Sequence, residues 1–174
     1  MIKRTGEKEI FKTKLFTLKD INLDTPKGLV TYQIMEKRDT ALIVPITKDG
    51  NLIFIREYFT AIDEYSLSLP KGSIDQGHDE IYTANKELQE EVGYKANKIE
   101  KLATLTMSPG YLTQRTHVFL AQDLVESKLE GDEAEELEIV LHPFSKFEDL
   151  IENGELSESR VIAALFLAKK KLGK

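Results

Sequence analysis

Three glutamates, Glu87, Glu90 and Glu91, close the stretch GSIDQGHDEIYTANKELQEEVGY at residues 72–94. In a helix their i, i+3, i+4 spacing puts them on one face within a single turn. Like charges so placed repel by roughly 0.2–0.5 kcal/mol per pair, and a bound cation would remove that penalty. Converging carboxylates select a hard, oxygen-loving ion, so the chemistry this cluster suits is that of bound Mg²⁺ or Mn²⁺. The alternative is an amphipathic helix whose acidic face is merely solvated.

The surrounding sequence supplies the helix. Asp79 suits the N-cap, and Glu80 sits in the first turn where the macrodipole favours it. Ile81, Ala84, Leu88 and Val92 form an apolar stripe, expected on a different side from the carboxylates, and Gly93 suits the C-cap. Leu69-Pro70-Lys71-Gly72 and Gly77 mark a turn-rich loop entering from a strand.

Strands are predicted at Ile10–Leu15, Phe16–Leu23 and Leu29–Met35, with Thr25-Pro26-Lys27-Gly28 as a turn. Ala41–Ile46 and Leu52–Ile55 flank Lys48-Asp49-Gly50-Asn51, a hairpin signal. Lys101–Ser108 and His117–Gln122 read as further strands. Ser145-Lys146-Phe147-Glu148 has a capping-box pattern opening a short helix, and a last helix runs from about Ser157 to Lys171. Strands, an acidic helix, more strands and then helices suit a mixed sheet sandwiched between helices.

Composition narrows the function. The 174 residues suffice for one domain with a full core, and 41% hydrophobic with 31% charged content is ordinary for a soluble protein. No apolar run reaches the ~18 residues of a membrane span, and no signal-peptide pattern opens the chain, so a cytoplasmic location is expected. With no cysteine, disulfides, thiolate zinc sites and a cysteine nucleophile are excluded. A net charge of −6 argues against a nucleic-acid partner.

Residues 72–94 resemble the Nudix box, G-x5-E-x7-R-E-U-x-E-E-x-G-U with U apolar. The matches are Gly72, Glu87, Leu88, Glu90, Glu91, Gly93 and, loosely, Tyr94. His78 stands where the family usually has Glu, and Lys86 where it usually has Arg; the pair suggests a replaced structural contact. The resemblance implies an α/β fold, an α/β/α sandwich with a mixed sheet over residues 39–174, preceded by a strand-rich dimerisation segment at 1–38. Ser108-Pro109-Gly110 and Phe54-Ile55-Arg56-Glu57-Tyr58 point to the ADP-ribose pyrophosphatase branch. The stretches ALIVPI, IREY, KGSID, ANKELQEEVGY, MSPGY, AQDL, LEGDEAE and ALFLA are similar to its ADP compounds hydrolase group.

That group's activity is metal-dependent cleavage of ADP-ribose, NADH and diadenosine polyphosphates, with AMP released from the first two. The resemblance implies a homodimer and a metal held by Glu87, Glu90, Glu91 and the backbone carbonyl of Lys71. It implies a catalytic glutamate from the acidic segment 130–138, with Glu135 nearest by alignment and Glu133 and Glu136 as rivals; on composition the segment is a solvated loop. Arg56 is either a bidentate phosphate ligand or a surface arginine. Pro109 is either a branch marker near the substrate or a plain turn residue, and Tyr111 either stacks on a base or belongs to the core. His78, His117 and His142 read as packing or surface residues. Rival readings are hydrolysis of another nucleoside diphosphate derivative or of a nucleoside triphosphate, and an ADP-ribose-binding module without turnover.

Overall fold

Strand β4 (Thr40–Pro45) is buried along its whole length, as expected of an apolar run without polar alternation when both faces are covered. Ala41 and Ile43 enter one core, Leu42 and Val44 the other. The computed structural model describes residues 1–131 and 136–173. It divides into unit 1, Met1–Asp39 with Thr106–Arg115, and unit 2, Thr40–Leu105 with Thr116–Lys174.

Unit 2 holds both cores. Around β4 lie β5 (Asn51–Phe59), β6 (Glu64–Ser68), β7 (Lys71–Ser73), β8 (Tyr94–Thr106), β9 (Arg115–Glu126) and β10 (Glu138–Pro143). One sheet has the order β7-β4-β9-β8, with β4 antiparallel to β7 and parallel to β9; the other, β10-β5-β6, is antiparallel. Helix α1 (Glu80–Val92) brings Ala84, Leu88 and Val92 onto Ala41, Ile43, Ile53, Ile55 and Phe119. Helices α2 (Phe147–Glu152) and α3 (Ser159–Leu172) bring Phe147, Val161 and Leu165 onto Leu42, Val44, Phe54 and Val118. This is the expected α/β/α sandwich with a mixed sheet.

Unit 1 is built on an antiparallel sheet in chain order: β1 (Lys3–Lys12), β2 (Thr17–Thr25) and β3 (Gly28–Glu36). The Thr13 hydroxyl accepts from the amides of Leu15 and Phe16, which ends β1 earlier than its apolar residues suggest. Ile10, Phe11, Leu29 and Tyr32 stay exposed. The segment Thr106–Arg115, which sequence reading left with the hydrolase domain, groups with this sheet.

Three local expectations give way. The Lys48–Asn51 turn forms, but β4 and β5 belong to different sheets, and in place of a hairpin ladder an isolated bridge just past β4 pairs Ile46 with Leu52. Ser145 lies in a 3-10 turn, Phe144–Lys146, and α2 starts without a side-chain cap bond. Ile81 is exposed and Glu91 takes a buried place beside the apolar stripe. The strand expected ahead of Leu69-Pro70 is β6, whereas β7 went unpredicted: its three residues were read as loop, and only its partner defines it. Among the described residues no helix is long and apolar enough to cross a membrane.

Candidate active site

Helix α1 is set rigidly. The Asp79 carboxylate accepts from the Tyr82 amide at 2.8 Å, and Gly93 caps the other end in the left-handed region at φ 75°. The Asn85 amide side chain bonds both the N–H and C=O of Ala96, at 2.9 and 3.0 Å, fastening the start of β8. The stretch after β9 is tied along the last turn: Ser127 N–H to Gly93 O, Ser127 Oγ to Gln89 Oε1, and Leu129 N–H to Gln89 O. Lys128 Nζ donates to the Glu90 carbonyl at 3.1 Å.

The three glutamates meet different surroundings. Glu91 is 5% exposed, and its Oε2 accepts the Lys71 amide at 2.8 Å. A buried carboxylate requires such a donor. Glu87 lies over Gly72 so closely that a Cβ built there would come within 1.9 Å of its carboxyl carbon. Only glycine leaves that space open, which is a packing reason for the Lys71-Gly72 pair. Glu90 is held by Lys86, 2.5 Å away. His78 packs edge-on to Tyr82. The two departures from the box therefore each have a local partner.

Lys71 contributes its side chain as well. Its ammonium pairs with Glu57 of β5 and stands 5.3 Å from the centre of the Phe59 ring. Glu57 was missed by sequence reasoning, which singled out only Arg56 on this strand, as a phosphate ligand. The pleat puts Arg56 on the same face of β5 as Phe54, but Arg56 itself stays 34% exposed at the edge of that core, with its Nε 3.3 Å from Glu138. Glu57, the next residue of the strand, lies on the opposite face, with Ile53 and Ile55 under α1.

Pro109 lies on an exposed turn in unit 1. Tyr111 follows it, 57% exposed, with its amide bonded to Ser108 O, so the reading of Tyr111 as a core aromatic fails. Gly131 packs beside Glu90, which brings the near end of the acidic segment to α1. Glu135 and Glu133 lie outside the described residues, and Glu136 is exposed. His117 is buried, with Nδ1 at 2.8 Å from Lys101 Nζ and 3.1 Å from Glu80; His142 Nε2 contacts Lys146 O.

Among the described residues no group of three or more acidic or histidine side chains is gathered as a metal ion would gather them. The i, i+3, i+4 spacing alone predicted convergence; instead Lys71 N–H engages Glu91 and Lys86 engages Glu90. The donors still suit a hard divalent ion in kind, being carboxylate oxygens on one turn beside the main chain at Lys71 and Gly72.

A mixed sheet between helices, with a glycine-punctuated loop clamped to a glutamate-bearing helix, is the arrangement of a Nudix domain. The family model described as NUDIX domain matches residues 36–165, and the chain belongs to this family as a Nudix hydrolase. It is 39% identical to the ADP compounds hydrolase NudE of Escherichia coli K12, covering 92% of this chain and 88% of that one. It is 30% identical to the ADP-ribose pyrophosphatase of Bacillus subtilis 168, covering 94% and 93%. A crystal structure of an ADP compounds hydrolase superposes with a TM-score of 0.91 at 36% identity, covering 99% of this chain and 94% of that one.

Proposed function

We propose that this Nudix hydrolase cleaves the pyrophosphate of ADP-linked compounds, namely ADP-ribose, NADH and diadenosine polyphosphates, releasing AMP from the first two. The observation that carries the reading is the clamp of Lys71-Gly72 onto Glu91 and Glu87, which sets two carboxylates against main chain at one helix turn. The similarity to an ADP compounds hydrolase and an ADP-ribose pyrophosphatase over nearly the whole chain supports the substrate class.

A divalent ion, Mg²⁺ or Mn²⁺, would be held by Glu87, Glu90, Glu91 and the Lys71 carbonyl. When bound it neutralises phosphate oxygens and lowers the pKa of a bound water. The chain's part is positioning: Lys71 N–H keeps the buried Glu91 in one orientation, and Gly72 leaves Glu87 its place. Lys86 contacts Glu90 through Oε2, so Oε1 of that carboxylate would serve as the ligand. Glu135 is the proposed general base, with Glu133 and Glu136 as rivals, and Arg56, Pro109 and Tyr111 are proposed substrate contacts. A homodimer formed through unit 1 would cover Phe11, Leu29 and Tyr32, and a cytoplasmic site of action suits the cysteine-free chain.

The test is a Mg²⁺-dependent assay with ADP-ribose, NADH and diadenosine triphosphate in parallel, with products separated by chromatography. Metal-dependent nucleotide release that disappears in Glu91→Gln is the expected result. A second reading, hydrolysis of a different nucleoside diphosphate derivative, is favoured by 28% identity to the GDP-mannose pyrophosphatase of Salmonella typhimurium, so GDP-mannose belongs in the same assay. Tight ADP-ribose binding without release from any compound would identify a binding module instead.

A further inference from the structure

We propose that Glu57 is a positioning residue for this site, acting through the Lys71 side chain to hold the Lys71 amide on Glu91; the proposal rests on the hydrolase reading above. Lys71 joins two elements. Its main-chain N–H donates to the buried Glu91 carboxylate of α1, and its ammonium is paired with Glu57 of β5 beside the Phe59 ring. The Lys71 and Glu57 side chains are 11% and 19% exposed, so each charge depends on the other for the hydration it has lost.

The geometry gives the pair a specific task. Strand β7 is only three residues long, and its register with β4 runs from Leu42–Lys71 to Thr40–Ser73. Lys71 is thus the first residue of a short edge strand that follows Pro70, where few ladder bonds define the backbone. Anchoring its side chain to β5, a nine-residue strand in the middle of the second sheet, restrains the peptide that faces Glu91. Glu57 stands one residue beyond Arg56, on the side of β5 shared with Ile53 and Ile55, which pack under α1. The Glu57–Lys71 pair therefore links the central strand, the loop and the helix.

The experiment joins kinetics to amide hydrogen exchange, read by NMR at position 71 on the intact protein. Glu57→Gln removes the charge and keeps the shape. Its kcat for the best ADP-linked substrate is expected to fall about 10–100-fold with KM within about twofold. Exchange at the Lys71 amide is expected to be about tenfold faster, because the Lys71 peptide is no longer held on the Glu91 carboxylate. Should the lone substitution unfold the chain, the double variant Glu57→Met/Lys71→Met supplies an apolar pair that avoids an unpaired buried charge, and the same two changes are expected in it. Wild-type kcat and wild-type protection at position 71 overturn the proposal. So does a fall in kcat with protection intact, or lost protection with kcat intact. If the wild-type protein hydrolyses no ADP-linked compound, the substrate reading falls, and exchange at position 71 alone decides whether Glu57 seats Lys71 on Glu91.

Discussion

Glu91 shows how one residue can be both stabilised and exposed to chemistry. Burial to 5% would be costly for a lone carboxylate, and the Lys71 N–H offsets it. Gln at this position keeps the acceptor oxygen for that bond and removes the charge, so Glu91→Gln is expected to leave the fold stable and abolish turnover. Gly72 offers a sharper separation. In Gly72→Ala the new methyl displaces only the mobile end of Glu87, so the melting temperature should stay within a few degrees while kcat falls about 100-fold. Calorimetry alongside the assay checks both, and a fully active variant would show that Glu87 needs no such seat. Tyr111 makes the converse case. It is exposed, so Tyr111→Ala should cost little stability; if it stacks on the substrate, KM rises several-fold at unchanged kcat.

At the scale of elements, α1 matters through its ends. Gly93 has φ 75°, which an L side chain adopts at a cost of about 1–2 kcal/mol. Gly93→Ala is therefore expected to lower unfolding free energy by that amount in urea titration. Asp79→Ala, at the other end, should cost about 1 kcal/mol by freeing the Tyr82 amide. The effects should nearly add, since the caps lie a helix length apart. The post-β9 stretch is the element that sequence periodicity could not reveal. Its links to α1 run through Ser127, Lys128 and Leu129, three residues with no shared pattern, and they carry the chain to Glu90 at Gly131.

For the whole molecule, the two units differ in how they bury surface. Unit 2 encloses two cores, one under α1 and one under α2 and α3. Unit 1 is a three-stranded sheet on which Ile10, Phe11, Leu29 and Tyr32 remain open to water. Apolar residues on a small sheet favour association with a matching surface. Sedimentation equilibrium is expected to give twice the chain mass, with Leu29→Lys and Tyr32→Lys together shifting the protein toward the monomer. A wild-type monomer at micromolar concentration would remove unit 1 as a dimer surface.

The residue string by itself determined the acidic helix and its caps, the candidate carboxylates, the apolar strands and the family. These follow from local chemistry: charge spacing, periodicity and capping act between residues a few positions apart. Of the expected stripe Ala84, Leu88 and Val92 are buried and Ile81 is exposed, because a period of 3.6 leaves more than one arc able to face a core, and packing chose the arc that takes in Glu91. Only the tertiary structure decided that β4 and β5 part into different sheets, that β7 exists at all, and that Glu57 rather than Arg56 faces the loop carrying Lys71. Each is a choice of partner or face between segments distant in sequence. An extended strand offers both its faces equally until a helix, a second sheet or a buried charge covers one of them.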